Sequence, residues 1–149
     1  MTRMFCSTAA ALALSALMAA PALAETVEVQ MLNRGEAGAM VFEPDFVRIQ
    51  PGDTVKFVAT DKGHNAESIL EMIPEGAETF KGKINEEIEL TPEIEGVYVV
   101  KCQPHYAMGM VMTVAVGDAT EVPPAYMEGR IPKKSQERLA DQLERLAQQ

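Results

Sequence analysis

The sequence has 149 residues, of which 13 are basic and 22 are acidic, for a formal charge of −9 at pH 7. An acidic protein of this kind is not expected to bind nucleic acid non-specifically, because phosphates attract basic surfaces. The length suits one compact domain with an adequate core, and no run beyond residue 24 is long or apolar enough to span a bilayer.

Residues 1–24 predict a secretory signal peptide. Arg3 precedes an apolar run, and Ala22-Leu23-Ala24 supplies the expected small-x-small cleavage pattern. The apolar run is too short for a membrane span. Cleavage would remove Cys6 and leave Cys102 as the single cysteine of the mature chain. A lone thiol in an oxidising compartment needs a metal or burial to protect it, which points to Cys102 as a ligand.

The mature chain, residues 25–149, is expected to form one domain that begins with a β-sandwich over about residues 25–117. Apolar and polar residues alternate in short stretches between glycine and proline turns. Short strands at this spacing favour an all-β sandwich over a parallel sheet. The predicted strands cover residues 26–31, 40–42, 46–49, 55–59, 87–90, 97–100 and 111–117, with a short helical turn near 68–72.

The C-terminal extension, about residues 123–149, predicts helices. Residues 135–149 contain neither Gly nor Pro, and three leucines are spaced i, i+4 and i+7 on one face: Leu139, Leu143 and Leu146. Ser135 is the expected N-cap, and a shorter helix is expected near 124–128. We expect the leucine stripe to cover one end of the sandwich; a partner-binding helix is the alternative.

The loop between the last two predicted strands carries the residues with metal chemistry. It holds Cys102, His105 and Met110, and the only other histidine of the chain is His64, on an earlier loop. Thiolate, imidazole and thioether ligands together suit copper, and two His and one Cys with a weak axial Met form the blue-copper pattern. The spacing therefore favours a copper site.

Two other kinds of site fit the same residues less well. Closed structural zinc sites generally use four Cys or His ligands, and the mature chain has three such residues. A Cys–His hydrolase would need the pair to be oriented by a third group, and no carboxylate lies beside Cys102 and His105 in the sequence.

The mature chain resembles, from end to end, the pseudoazurins, a family of cupredoxins or small blue copper proteins of bacterial periplasms. The resemblance implies an all-β, cupredoxin-type Greek-key β-sandwich with two C-terminal α-helices. The motifs that carry it are MLN at 31–33, GAMVFEP at 38–44, PGDTV at 51–55, DKGHN at 61–65, MIPEGA at 72–77, KC at 101–102 and PHYAMGM at 104–110.

The resemblance also implies the ligands of one type 1 copper ion. Met108 would give a Cys-x2-His-x2-Met spacing that resembles amicyanin, another cupredoxin. The helical tail and the Tyr-Ala-Met-Gly-Met sequence favour Met110 as the axial ligand, and Met112 is expected in the core. The implied metal ligands are thus His64, Cys102, His105 and Met110.

Family resemblance further implies roles for residues around the ligands. Asn65 is expected to tether the two ligand loops and to give its backbone N–H to the thiolate. Pro104 has no N–H to offer. The edge of His105 is expected to reach the surface in an apolar patch, for which the candidates are Met40, Pro104, Ala107 and Met108.

By the same resemblance we expect a monomeric periplasmic one-electron carrier that is not an enzyme and does not act at a membrane. Copper nitrite reductase is the expected acceptor, with cytochromes as donors or alternative partners. The alternative function is periplasmic copper binding and delivery without electron transfer. Lysines are expected to ring the docking surface, with Lys101 and Lys62 preferred because they adjoin the ligand loops; the candidates are Lys62, Lys81, Lys83, Lys101, Lys133 and Lys134.

Overall fold

The computed structural model describes residues 23–148, so nearly all of the predicted signal peptide lies outside the described residues. Within this described part of the chain, eight strands form two four-stranded sheets. The strands are β1 (Thr26–Gly35), β2 (Gly38–Glu43), β3 (Phe46–Ile49), β4 (Thr54–Val58), β5 (Glu67–Ser68), β6 (Ile88–Leu90), β7 (Gly96–Lys101) and β8 (Val111–Val116). The predicted β-sandwich is confirmed, and the short β5 is the one strand that the sequence patterns did not predict.

The first sheet has the strand order β2-β1-β4-β6 and the second has the order β3-β8-β7-β5. In each sheet one pair of strands is parallel, β1 with β4 and β3 with β8, and the other pairs are antiparallel. The main core lies between the sheets, where Val29 and Phe57 of the first sheet share one cluster with Val100 and Val114 of the second. Burial of these apolar side chains is the main force that holds the two sheets together.

The second sheet is buried on both of its faces. In β7, Tyr98 and Val100 face the inter-sheet core, whereas Val97 and Val99 belong to a second apolar cluster outside the sheet. Successive residues of a strand point to opposite faces, so this alternation means that a further layer covers the sheet. Because both faces are covered, every residue of β8 is buried.

The covering layer is formed by α1 (Lys133–Ala147), which contributes Leu139 and Leu146 to the outer cluster. The leucine stripe therefore packs on a face of the sandwich. The sequence had predicted that it would cover one end, and that prediction was wrong. Ahead of α1, residues Pro124–Met127 form a 3-10 helix in place of the second α-helix that the resemblance implies. Within residues 23–148, no helix is both long and apolar enough to cross a bilayer.

The start of α1 differs from the sequence prediction. Pro132 is the N-cap, and Ser135 lies inside the first turn, where it is fully buried. The Ser135 hydroxyl donates to the carbonyl oxygen of Tyr106 and not to the backbone of its own helix. The N-cap prediction for Ser135 was wrong because this hydroxyl has a tertiary partner 29 residues away.

Candidate metal centre

His64 follows β4, and its imidazole is held by a residue from the end of β1. His64 Nε2 lies 3.0 Å from Asn33 Oδ1. Since an amide oxygen only accepts hydrogen bonds, Nε2 carries the proton and Nδ1 keeps its lone pair. The backbone is braced as well, because Asn85 N donates to His64 O at 2.8 Å and Gly63 N donates to Asn85 Oδ1 at 2.7 Å.

Cys102 lies immediately after β7, and Met110 lies immediately before β8. The 3-10 helix Gln103–Met108 connects them, and its C-cap Gly109 adopts the left-handed conformation with φ of 91°. Cys102 N donates to Met110 O at 3.0 Å, and Met110 N donates to His105 O at 3.2 Å. The loop is therefore closed by its own backbone, which links Met110 to both Cys102 and His105.

Three of the predicted ligands converge on one point. The distance between the Nδ1 atoms of His64 and His105 is 3.1 Å, and Cys102 Sγ lies 3.7 Å and 3.5 Å from them respectively. Simple triangle geometry places a point about 2.0 Å from all three atoms, which matches the typical length of a metal–imidazole bond. Among residues 23–148, these three form the one group of His, Cys, Asp or Glu side chains arranged to hold a metal ion.

The electrostatics of the site suit a metal more than a free thiol. Burial raises the pKa of Cys102, although the backbone N–H groups of Asn65 and His105 act in the opposite direction, and the Glu67 carboxylate adds to the increase. Burial also lowers the pKa of His64, as does His105, while Asp61 raises it. His64 is therefore neutral at neutral pH, as a ligand must be, and a metal would displace the proton of the buried thiol.

Asn65 connects the two ligand-bearing segments, as predicted. Its Oδ1 accepts a hydrogen bond from Gln103 N at 2.8 Å, and its backbone N–H acts to lower the pKa of the Cys102 thiol. Its Nδ2 donates to Gly82 O at 3.1 Å and to Glu67 Oε2 at 3.0 Å. The bond to Gln103 therefore joins the segment after His64 to the segment after Cys102, and the other two side-chain bonds hold the Asn65 amide in place.

The structure distinguishes between the neighbouring methionines. Met110 is fully buried in the same cluster as Cys102, whereas the Met108 side chain is 42% exposed. Met112 is also fully buried in the core, as the sequence predicted. Burial next to Cys102 and His105 supports Met110 over Met108 as the axial ligand.

His105 lies at the surface of the site, with partial exposure, among apolar residues. Pro104, Ala107 and Met108 are exposed, and Met40 is half-buried. The structure adds Ile84, which is 48% exposed and lines a surface cleft of about 650 Å³ together with Pro104. The sequence did not identify Ile84, because it lies on a loop 21 residues before His105 and only the fold brings it to this face.

The predicted lysines fall into two groups. Lys101 is not a free surface charge, since its Nζ lies 3.4 Å from Glu67 Oε1 and 5.2 Å from the centre of the Tyr106 ring, and the side chain is 20% exposed. The preference for Lys101 as a docking residue is therefore not supported by the structure. The other candidates are exposed: Lys62, Lys81, Lys83, Lys133 and Lys134.

Two further residues around the ligands were missed at the sequence level. Asn33 holds His64 although 31 residues separate them, and Glu67 is buried with contacts to both Asn65 and Lys101. Asn33 lies in a motif that the family resemblance includes, but nothing in the sequence pairs it with a histidine. Nothing in the sequence pairs Glu67 with Lys101 either, because the two residues are close only in the folded chain.

Comparison with known proteins agrees with this geometry. Residues 29–117 match the family described as copper binding proteins, plastocyanin/azurin family. Pseudoazurin from Paracoccus pantotrophus is 56% identical over 137 residues, which cover 92% of this chain and 94% of that protein. The chain belongs to the pseudoazurin family.

Solved structures extend the similarity to the fold. The crystal structure of pseudoazurin from Methylobacterium extorquens AM1 superposes with a TM-score of 0.75 at 42% identity, covering 82% of this chain and 99% of that one. Pseudoazurin from Hyphomicrobium denitrificans gives a TM-score of 0.71 at 43% identity, with 80% and 97% covered. The fold is therefore cupredoxin-like, copper is the cofactor of the family, and its members are copper electron carriers.

Proposed function

We propose that this protein is a periplasmic one-electron carrier that holds one type 1 copper ion. His64 Nδ1, Cys102 Sγ and His105 Nδ1 would form the plane of ligands, with the Met110 thioether as the weak axial ligand. The observation that carries the proposal is the convergence of the three donor atoms, which lie 3.1 to 3.7 Å apart. Copper bound there would supply one-electron chemistry by cycling between Cu(II) and Cu(I).

The surrounding residues support electron transfer because they hold the ligands in place. Asn33 orients the His64 ring, and Asn65 joins the two ligand segments through buried hydrogen bonds. The Cys102 backbone is tied to Met110. Ligands that are held by such contacts shift little when the charge of the site changes, and small reorganisation favours rapid transfer.

The same ligand set argues against an enzyme. Three strong donors and one thioether complete a type 1 site, so no position remains for a substrate. Cys102 and Met110 are fully buried, and His105 is the ligand with an exposed edge. Copper delivery is the weaker alternative, because an exchanging site would benefit from exposed sulfur ligands.

We further propose that electrons leave through His105 and the apolar surface around it. Exposed Pro104, Ala107 and Ile84 offer an apolar contact area, and Lys81 and Lys83 line the same cleft as Pro104 and Ile84. By resemblance to the family, the acceptor is a periplasmic denitrification reductase, with copper nitrite reductase the leading choice and cytochromes as other partners. The chain would be a monomer, exported to the periplasm by the signal peptide predicted at residues 1–24.

A single set of spectra tests the metal assignment. The copper-loaded protein should show an intense visible thiolate-to-copper band and a narrow copper hyperfine splitting. Cys102→Ser should abolish the colour, since a hydroxyl is a poor donor to Cu(II), whereas Met108→Leu should leave it unchanged. A colourless copper complex, or a protein that takes up only zinc, would contradict the proposal.

The electron-transfer role needs a separate measurement. Reduced protein mixed rapidly with copper nitrite reductase should be oxidised within the turnover time of the reductase when nitrite is present. A cytochrome c of similar potential, as the other candidate partner, is mixed with the reduced protein in a parallel experiment. If neither partner is reduced while the copper spectrum is normal, the carrier role fails and the copper-delivery function gains support.

A further inference from the structure

The helix α1 carries a row of polar side chains next to its leucines. Ser135, Arg138, Gln142 and Arg145 are spaced by three or four residues, so they lie on one side of the helix. Ser135 donates to Tyr106 O, and Gln142 Nε2 donates to Val111 O at 3.1 Å. The row therefore contacts the backbone of the ligand loop at one end and the backbone of β8 further along the helix.

Arg138 is the member of this row that touches the ligand loop most directly. Its Nη1 donates to Met40 O at 2.7 Å and to Gly109 O at 2.8 Å. Its Nη2 donates to Ala39 O at 2.9 Å and to Ala37 O at 3.3 Å. The four terminal N–H groups of the guanidinium are thus matched by four backbone carbonyl groups from two separate segments, the start of β2 with the residue before it, and the ligand loop.

Both segments contain a residue with a positive φ. Met40 has a positive φ of 53°, which is uncommon for a residue with a side chain, and Gly109 has a φ of 91°. A Cβ atom on Gly109 would lie 3.1 Å from Arg138 Cδ and 2.9 Å from Lys134 Cγ. The close approach of α1 and the hydrogen bonds from Arg138 therefore hold both segments in these conformations.

The charge of Arg138 is not neutralised by a carboxylate in an ion pair within residues 23–148. Burial lowers the pKa of Arg138, and Asp45 acts in the opposite direction, but arginine remains protonated at neutral pH. A positive charge that is solvated by peptide carbonyl groups is therefore held next to the residue that precedes Met110.

We propose that Arg138 is a positioning residue of the metal centre. By holding the Gly109–Met110 peptide against the Ala37–Met40 segment, it sets how the Met110 side chain approaches the site, and its charge favours the reduced state. The match to the copper-binding family covers residues 29–117, so α1 is an addition to the shared domain. This inference rests on the proposed function in one respect, the role of Met110 as axial ligand.

Amide hydrogen exchange in the copper-free protein tests the positioning role without any metal. Arg138→Met removes all four hydrogen bonds, so exchange at Gly109 and Met110 should be roughly tenfold faster or more, because hydrogen bonds to charged groups are among the stronger ones. Arg145→Met is the matched control on the same helix. It removes the contact with Asp45 at 3.0 Å and should leave exchange at Gly109 and Met110 unchanged.

The copper-loaded variants give a second readout. Arg138→Met should have a lower reduction potential than the wild type, since the lost positive charge no longer favours Cu(I). Arg138→Lys keeps the charge without the planar fork, so its exchange should accelerate while its potential falls less. Arg145→Met should keep the wild-type potential.

Unchanged exchange at Met110 in Arg138→Met, or equal acceleration in Arg145→Met, would overturn the inference. If Arg138→Met does not fold, Arg138→Lys decides by the same exchange criterion. A Met110→Leu variant with an unaltered copper spectrum would instead disprove the axial role of Met110. These two failures are distinguishable, because exchange in the copper-free protein does not depend on which residue binds copper.

Discussion

The side-chain oxygen of Asn65 accepts a hydrogen bond of 2.8 Å from the backbone N–H of Gln103, which lies 38 residues further along the chain. Each of the two residues directly follows a proposed ligand, His64 and Cys102. One side chain thus joins the ligand segment after β4 to the ligand segment after β7. This contact therefore helps to fix the distance between the two ligands.

Asn65→Ala should lower the free energy of unfolding by about 1–3 kcal/mol, because the part-buried Gln103 N–H and the buried Gly82 O each lose a hydrogen bond. Urea unfolding of the metal-free protein measures the change. Ser68→Ala is the control, since Ser68 also bonds the backbone, at Phe80, but away from the ligands. Asn65→Ala should alter the visible copper spectrum and Ser68→Ala should not; equal spectra for both variants would contradict the tether.

Pro104→Ala should raise the reduction potential. Pro104 lies in the first turn of the 3-10 helix that follows Cys102 and has no N–H group. Alanine there supplies an N–H, or admits water, near the thiolate, and a hydrogen bond to sulfur disfavours Cu(II). Voltammetry measures the shift, with Pro124→Ala in the 3-10 helix Pro124–Met127 as the control. A potential that is unchanged or lower would mean that Pro104 only shapes the loop.

Gly109→Ala should destabilise the protein more than Gly63→Ala. Both glycines have φ near +90°, so each substitution carries a backbone strain of about 1–3 kcal/mol. A Cβ on Gly63 meets no atom within 4 Å, whereas a Cβ on Gly109 meets side chains of α1 at 2.9 and 3.1 Å. Denaturant unfolding gives the difference. Equal losses would show that α1 moves aside without cost.

Electron delivery to an acidic reductase should slow as salt rises, because the exposed lysines beside Pro104 attract the reductase locally despite the overall charge of −9. Salt screens this attraction, since the Debye length is about 10 Å at 0.1 M salt. Lys83→Gln, at the cleft beside Pro104, should slow it further. Lys56→Gln is the control. Lys56 lies on β4 of the first sheet, and its charge is already paired with Glu28 and Glu87. A rate that is indifferent to salt and to Lys83→Gln would show that these lysines serve only solubility.

Lys101→Gln should behave differently from Lys83→Gln. Because Lys101 contacts the buried carboxylate of Glu67 at 3.4 Å, its loss leaves that charge without its partner. We expect a loss of about 1–3 kcal/mol in the free energy of unfolding and a smaller effect on the electron-transfer rate than Lys83→Gln has. The opposite order, with stability unchanged and the rate reduced, would restore Lys101 to the docking surface.

Much of the fold and of the site was predictable because the relevant signals are local. The alternation of residues 26–31 and the turn at 51–54 predict strands without reference to the rest of the chain. Cys102 and His105 lie three residues apart on one loop, and the chain has a single further histidine, so the convergence with His64 was expected before any geometry. Ligand chemistry and spacing are properties of the sequence itself.

The tertiary structure decided which residues support that loop and which face the helix covers. Ser135 looked like an N-cap by composition, yet its hydroxyl binds Tyr106; Lys101 looked like a free charge, yet it pairs with Glu67. Arg138 gave no signal, because its partners are backbone carbonyl groups about 30 and 100 residues away, and every residue type presents the same carbonyl. Contacts to backbone atoms and between distant segments leave no pattern in one sequence, so only the folded chain reveals them.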